Sequence, residues 1–253
     1  MNARLKQLAR SWMLPFFDPR PLAGIVRLPA FFAEWRAYRR RSGEKSVVFS
    51  DLWPCLSDRS ARTAFDPHYF YQGAWLARRL AQVRPELHID CGSSVLMVSV
   101  LSAQVPTVFL DYRPLASGLT DVISVAGTLT GLPFADGSLD SVSSLHVIEH
   151  VGLARYGDPL DPDGSVRALA ELVRIIRPGG HLYLSVPVGR ERVCFNAQRI
   201  FSPGTIIGLA SGMSLRSFAL VDDDGRYHDQ AHIDLAANLN YGCGMFEFSR
   251  SHA

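Results

Sequence analysis

The chain has 253 residues, of which 47% are hydrophobic, 20% charged and 10% aromatic. These proportions can fill a sizeable globular core, and they exclude a mostly disordered or collagen-like chain. Twenty-six Lys and Arg against 24 Asp and Glu leave a formal charge of +2, too balanced to call for nucleic acid as a partner.

The charge is unevenly placed. Residues 1–45 hold ten basic and three acidic residues, so residues 46–253 hold sixteen basic against twenty-one acidic. This split predicts two parts with different partners, a basic aromatic extension over 1–45 and one domain over 46–253. Cys55, Cys91, Cys194 and Cys243 are scattered without a CxxC pair, which points to a reducing, cytoplasmic setting. No apolar run approaches the roughly 18 residues of a membrane span. Arg10, Asp18 and Arg20 also break up any signal-peptide core.

In residues 1–45, short apolar patches such as Trp12–Phe17 and Phe31–Trp35 alternate with arginines, and Pro15, Pro19, Pro21 and Pro29 prevent one long helix. Short helices with aromatics on one side and arginines on the other are expected. They suit peripheral contact with the anionic inner face of a membrane, or packing on the main domain with the arginines in solvent. Residues 46–65 read as a strand or extended piece, Val47-Val48-Phe49, followed by a loop. Residues 67–83 read as a helix with Tyr69, Phe70, Trp75, Leu76 and Leu80 apolar and Arg78-Arg79 outward.

From residue 86 the pattern alternates. Apolar runs at Leu87–Asp90, Thr107–Asp111, Val122–Val125, Leu139–Leu145 and His181–Val186 predict buried strands. A helix is predicted over Gly164–Arg177, with Val166, Leu169, Ala170, Val173 and Ile176 at helical spacing and Pro178-Gly179-Gly180 stopping it. Leu215–Val221 and Gly244–Phe248 add two late strands. The fold class is α/β: a doubly wound, mostly parallel, seven-stranded Rossmann-like sheet with an N-terminal helical extension.

In such sheets ligands gather beyond the carboxyl ends of the strands. The first strand ends Asp90-Cys91-Gly92-Ser93-Ser94, and the second ends at Asp111, a spacing at which a carboxylate can take the hydroxyls of a ribose. Many α/β proteins share that pair by chance. LPFADGSLD before the fourth strand, HVIEHV after it and RIIRPGG before the fifth are a more specific combination. Together they closely resemble the class I S-adenosyl-L-methionine (SAM)-dependent methyltransferases. YFYQGAWLARRL, DCGSS, LDYRPL, HVGLARYGDPLDPDG, SVPVGRERVCFNAQRIFSP and YGCGMFEF further resemble an uncharacterised domain family within that superfamily, over roughly residues 50–249. Members of that family are suspected in surface-polysaccharide synthesis.

The resemblance implies that Asp90, Gly92, Ser93 and Ser94 form the SAM loop and that Asp111 holds the ribose, with Tyr112 beside the adenine. It implies that Thr128 and Leu129 frame the adenine ring and that His146 lies near the methionine part. Two departures stand out. Ser94 and Leu96 replace the second and third glycines of the usual loop, and Thr128 replaces an acidic residue, a weaker acceptor than a carboxylate.

For transfer to an O or N atom of a small polar or glycan-linked acceptor, His150 is the candidate base, with Glu149 and Tyr156 beside it. Asp158 is a candidate for the acceptor pocket or a turn-former. Arg190, Arg192, Asn196 and Arg199 suit an acceptor phosphate or carboxylate, or a solvated loop. His146-Val147-Ile148-Glu149-His150 also matches the HxxEH zinc motif, but that motif needs a helix, so no metal is expected. The alternative is a non-catalytic methyltransferase-like module binding a partner in a polysaccharide-assembly complex. A nicotinamide oxidoreductase is disfavoured because GxGxxG is absent.

Overall fold

The computed structural model describes residues 25–42, 48–56 and 58–251. The chain divides into two compact units, Met1–Phe65 and Asp66–Ala253, later than the division at residue 45 suggested by charge. The expectations for residues 1–24 lie outside the described residues.

In the first unit, helix α1 (Leu28–Ser42) carries Pro29 in its first turn, where no N–H is needed, and Arg39, Arg40 and Arg41 in its last turn, where cations suit the helix dipole. None of its residues is buried. Phe32 stacks on Phe49 at 6.4 Å, and the Arg39 guanidinium lies 5.3 Å over the Trp35 ring. Of the strand or extended piece expected at Val47-Val48-Phe49, Val48 is extended and leads into a 3-10 turn, Phe49–Asp51, without pairing as a strand, and Val47 is outside the described residues.

The second unit opens with α2 (Pro67–Val83). Asp66 caps it by accepting from the backbone N–H groups of His68 and Tyr69, Pro67 takes the first turn, and Arg84 ends it in the left-handed region. The elements that follow are β1 (His88–Cys91), α3 (Val95–Leu101), β2 (Thr107–Asp111), β3 (Val122–Ala126), β4 (Leu139–Leu145), α4 (Gly164–Ile175) and β5 (Ile176–Val188). After them come β6 (Arg192–Cys194), β7 (Gln198–Ile200), α5 (Pro203–Leu209), β8 (Met213–Val221), β9 (Tyr227–His228) and β10 (Gly242–Arg250).

The main sheet runs β3-β2-β1-β4-β5-β10-β8-β9, and β6 pairs only with β7. The first five strands of that order are parallel, while β10 enters antiparallel between β5 and β8. This is the doubly wound, mostly parallel sheet expected from the strand pattern, with the two-residue β9 added at one edge. Leu169, Leu172 and Ile175 of α4 pack with Val142, Leu182 and Leu184 in one core cluster. Trp75, Leu76 and Leu80 of α2 pack with Tyr183 and Met245 in another.

Two helix phases differ from expectation. Tyr69 and Phe70 of α2 are exposed, while Gln72 is buried and Arg79 turns inward to Glu247 (3.5 Å) and Ser217 (3.1 Å). On α4, Val166 and Ala170 are exposed, and Ala168, Leu172 and Ile175 supply the buried stripe with Leu169. The helix ends at Ile175 rather than Arg177. Strand pairing starts at once with Leu139 opposite Ile176, and an irregularity then absorbs Arg177–Gly180 before Ser141 pairs with His181.

Candidate functional site

The carboxyl ends of β1, β2 and β4 surround a cavity of about 370 Å³. Gly92 bends the chain out of β1 with φ +76. A Cβ there would sit 2.9 Å from Val147 Cγ1 and 3.5 Å from Asp111 Oδ2, so only glycine leaves the floor open. Ser93 anchors the loop, its hydroxyl accepting from Leu145 N–H at 2.9 Å and its own N–H donating to Asp90 Oδ1 at 3.0 Å. Ser94 lines the cavity just ahead of α3. Leu96, at the position of the missing third glycine, is 77% exposed and does not line it.

Asp90 corrects the expectation of a cofactor contact. Its carboxylate is buried beneath the loop, held by Ser93 N–H and by the Ser143 hydroxyl at 2.5 Å, and it does not line the cavity. Asp111 ends β2 with Oδ1 accepting from Arg113 N–H at 2.7 Å, while Oδ2 is directed to the space over Gly92. Tyr112, Thr128 and Leu129 complete that side, as their sequence positions suggest. The Thr128 hydroxyl meets that of Thr130 at 2.9 Å.

His146 closes the opposite end. It follows β4 with φ +56, a conformation that costs a non-glycine residue energy and is held here by its surroundings. Its Nδ1 bonds Glu149 Oε1 at 2.7 Å, whereas its buried Nε2 and Glu149 Oε2 have no hydrogen-bond partner. Burial works against the charged ring, but Cys243 and Glu149 beside it prevail and raise its pKa to about 10.

His150 ends a 3-10 turn, Ile148–His150, so the HxxEH segment is not helical. Its Nδ1–H donates to Ala197 O at 2.7 Å, leaving Nε2 with the lone pair. Burial first, then Arg155 and His146, lowers its pKa against the pull of Glu149, which keeps the ring neutral. Tyr156 meets His150 edge-on at 5.6 Å and carries the Arg113 and Arg155 guanidinium groups over its ring at 4.8 and 5.0 Å.

A second cavity of about 490 Å³ adjoins the first and shares Tyr69, His146 and His150 with it. His68, Arg155, Gln198, Asp223 and Tyr241 face it. Sequence reasoning missed these residues. Tyr69 reads from sequence as part of a packing face; Arg155, Gln198 and Tyr241 lie inside the segments that carry the resemblance but have no role marked there, and His68 and Asp223 lie outside them.

The expected anion-binding cluster does not assemble. Arg199 is buried and donates to the carbonyls of Val151 (2.6 Å) and Pro162 (3.1 Å), so it holds a turn together. Arg192 pins Asn240, and neither Arg190, Arg192 nor Asn196 lines either cavity. Asp158 lines the first cavity, but both its oxygens accept backbone N–H groups, of Gly152 at 2.7 Å and Tyr156 at 3.3 Å. That is the role of a turn-former.

The sheet order and the cavity at its strand ends give this chain the fold of the class I SAM-dependent methyltransferases. Two solved structures with this architecture are similar to it. The [4+2]-cyclase SpnF is 13% identical, with 78% of this chain and 86% of that one covered and a TM-score of 0.54. The N-methyltransferase NodS from Bradyrhizobium japonicum WM9, in complex with S-adenosyl-L-homocysteine, is also 13% identical, with 85% and 97% covered and a TM-score of 0.53. A family model described as "Caenorhabditis protein of unknown function, DUF268" matches residues 130–239. No curated protein gives a significant sequence match.

Proposed function

We propose that the protein is a SAM-dependent methyltransferase acting on an O or N atom of a small polar or glycan-linked acceptor. The observation that carries this reading is one cavity in which the Gly92 bend, the Asp111 Oδ2 oxygen and the Thr128-Leu129 wall follow one another along the strand ends. The residues fit the cofactor because the bend is kept clear of any Cβ and Asp111 keeps an oxygen free for a hydroxyl donor. Asp111 would hold the ribose, Tyr112, Thr128 and Leu129 the adenine, and Gly92, Ser93 and Ser94 the middle of the molecule. Bound SAM supplies an electrophilic methyl group on a sulfonium. His150, neutral and with Nε2 unprotonated, takes the acceptor's proton; Glu149 fixes His146, and Tyr156 walls the acceptor side.

Calorimetric titration with SAM and S-adenosylhomocysteine tests this. Micromolar binding is expected, weakened about tenfold or more by Asp111→Ala, a loss of about 1.4 kcal/mol. His150→Ala should keep that binding and lose turnover. Absence of binding at millimolar ligand, or unchanged affinity in Asp111→Ala, overturns the reading.

A further inference from the structure

Beyond this cavity, one cluster of metal-ligating atoms stands out. His68 in the first turn of α2, His146 after β4 and Cys243 in β10 each offer a ligand atom, all within 4.8 Å of one another. Three features separate them from a chance meeting of side chains. The His146 side chain is only 5% exposed and its Nε2 has no hydrogen-bond partner, although a buried polar nitrogen ordinarily finds one. Its other nitrogen is fixed by Glu149 at 2.7 Å, the carboxylate–histidine arrangement that orients an imidazole towards a metal. The Cys243 sulfur is buried, within 4.8 Å of the ligand atoms of both histidines.

We propose that His68, His146 and Cys243 form a zinc site with one open coordination position, and that this position receives a hydroxyl of the methyl acceptor. Two imidazoles and a thiolate select zinc over magnesium or calcium, which prefer oxygen ligands. Three protein ligands with a fourth position open is the pattern of reactive rather than structural zinc. Tetrahedral zinc with bonds of about 2.0–2.3 Å holds its ligand atoms roughly 3.5 Å apart, and the His68 ring, stacked on His146 with centroids 5.3 Å and planes 11° apart, has to swing out of that stack to aim a nitrogen at the shared point. His68 and His146 both face the second cavity, and His146 also walls the first, so an acceptor ligated there lies at the junction of the two. The acceptor binds as its anion, its proton passing to His150 Nε2, while the Cys243 thiol and the His146 ring release theirs to solvent as the metal binds.

The zinc site stands on geometry alone; the acceptor's place on it rests on the methyltransferase reading. Full-length protein, stripped with chelator, is titrated with Zn²⁺ and with Co²⁺, and in parallel with S-adenosylhomocysteine. Stoichiometric metal binding is expected, with the cobalt form showing a thiolate charge-transfer band and the visible bands of a tetrahedral ion. Cys243→Ser should abolish the charge-transfer band, and His68→Ala should weaken cobalt binding about tenfold or more. Neither residue lines the first cavity, so both variants should keep S-adenosylhomocysteine affinity within about twofold, and that binding also certifies their fold. Wild-type protein that binds S-adenosylhomocysteine but no metal overturns the site, as do two variants that bind cobalt like the wild type. Metal binding without S-adenosylhomocysteine binding upholds the site and removes the acceptor from it.

Discussion

Asp90 and His88 belong to one buried hydrogen-bonded chain under the cavity floor. The Ser143 hydroxyl donates to Asp90 Oδ2 and so accepts from His88 Nε2 at 2.8 Å, which leaves His88 Nδ1 to accept from Ser141 at 2.8 Å. Burial raises the Asp90 pKa from 3.8 to about 6, against the pull of Ser143 and Ser93, and lowers that of His88 from 6.5 to about 3. Between pH 3.8 and 6 the folded protein therefore carries a proton on Asp90 where the unfolded chain carries one on His88. The Asp90 contribution to stability falls as pH rises through this window, the His88 contribution rises, and the two offset. Asp90→Asn leaves His88 alone, so that variant should lose stability faster than the wild type on going from pH 6.5 to pH 4, by about 2–3 kcal/mol. Urea midpoints of both proteins at the two pH values measure the difference, and parallel curves would refute the assignment.

At the scale of elements, the strands were legible because a parallel sheet buried on both faces writes itself as short apolar runs. Four of the seven runs read from residue 86 onward lie within one residue of the observed ends, and the two late ones, in β8 and β10, fall short by two residues. The fifth strand was read short because Pro178-Gly179-Gly180 looks like a helix stop, whereas here those residues form the irregularity against β4. The helix phases were harder. Partner elements decide which face of α2 is buried, and Arg79 is drawn inward by Glu247 on a distant strand. Arg199 shows the same limit, since its sequence neighbours suggest a ligand and its fold neighbours make it a brace between the turn after β4 and the start of α4. Arg199→Ala leaves the partly buried carbonyls of Val151 and Pro162 without this donor, a cost of about 1–3 kcal/mol in all. Chemical denaturation should show a loss of that size, and a loss below about 0.5 kcal/mol would return Arg199 to the list of surface groups.

At the scale of the whole chain, both cavities are lined only by residues from Asp66 to Tyr241, all within the second compact unit. The cofactor side was largely readable because successive strand ends follow one another in sequence. The His68–His146–Cys243 meeting was not, because its members come from a helix start, a central strand end and the last strand, with no spacing to announce them. Among the described residues, none before Asp66 lines either cavity, and no helix is long and apolar enough to cross a membrane. The arginine-rich turn Arg39–Arg41 and the exposed Phe49 and Trp53 fit the proposed contact with an anionic surface, where each basic residue contributes about 1 kcal/mol. A chain beginning at Asp66 should therefore bind S-adenosylhomocysteine within about twofold of the full chain and lose its binding to phosphatidylserine vesicles. Calorimetry and vesicle sedimentation read the two properties separately. If the shortened chain still sediments with vesicles, the surface contact belongs to the second unit; if it loses S-adenosylhomocysteine, residues before Asp66 complete the cofactor site.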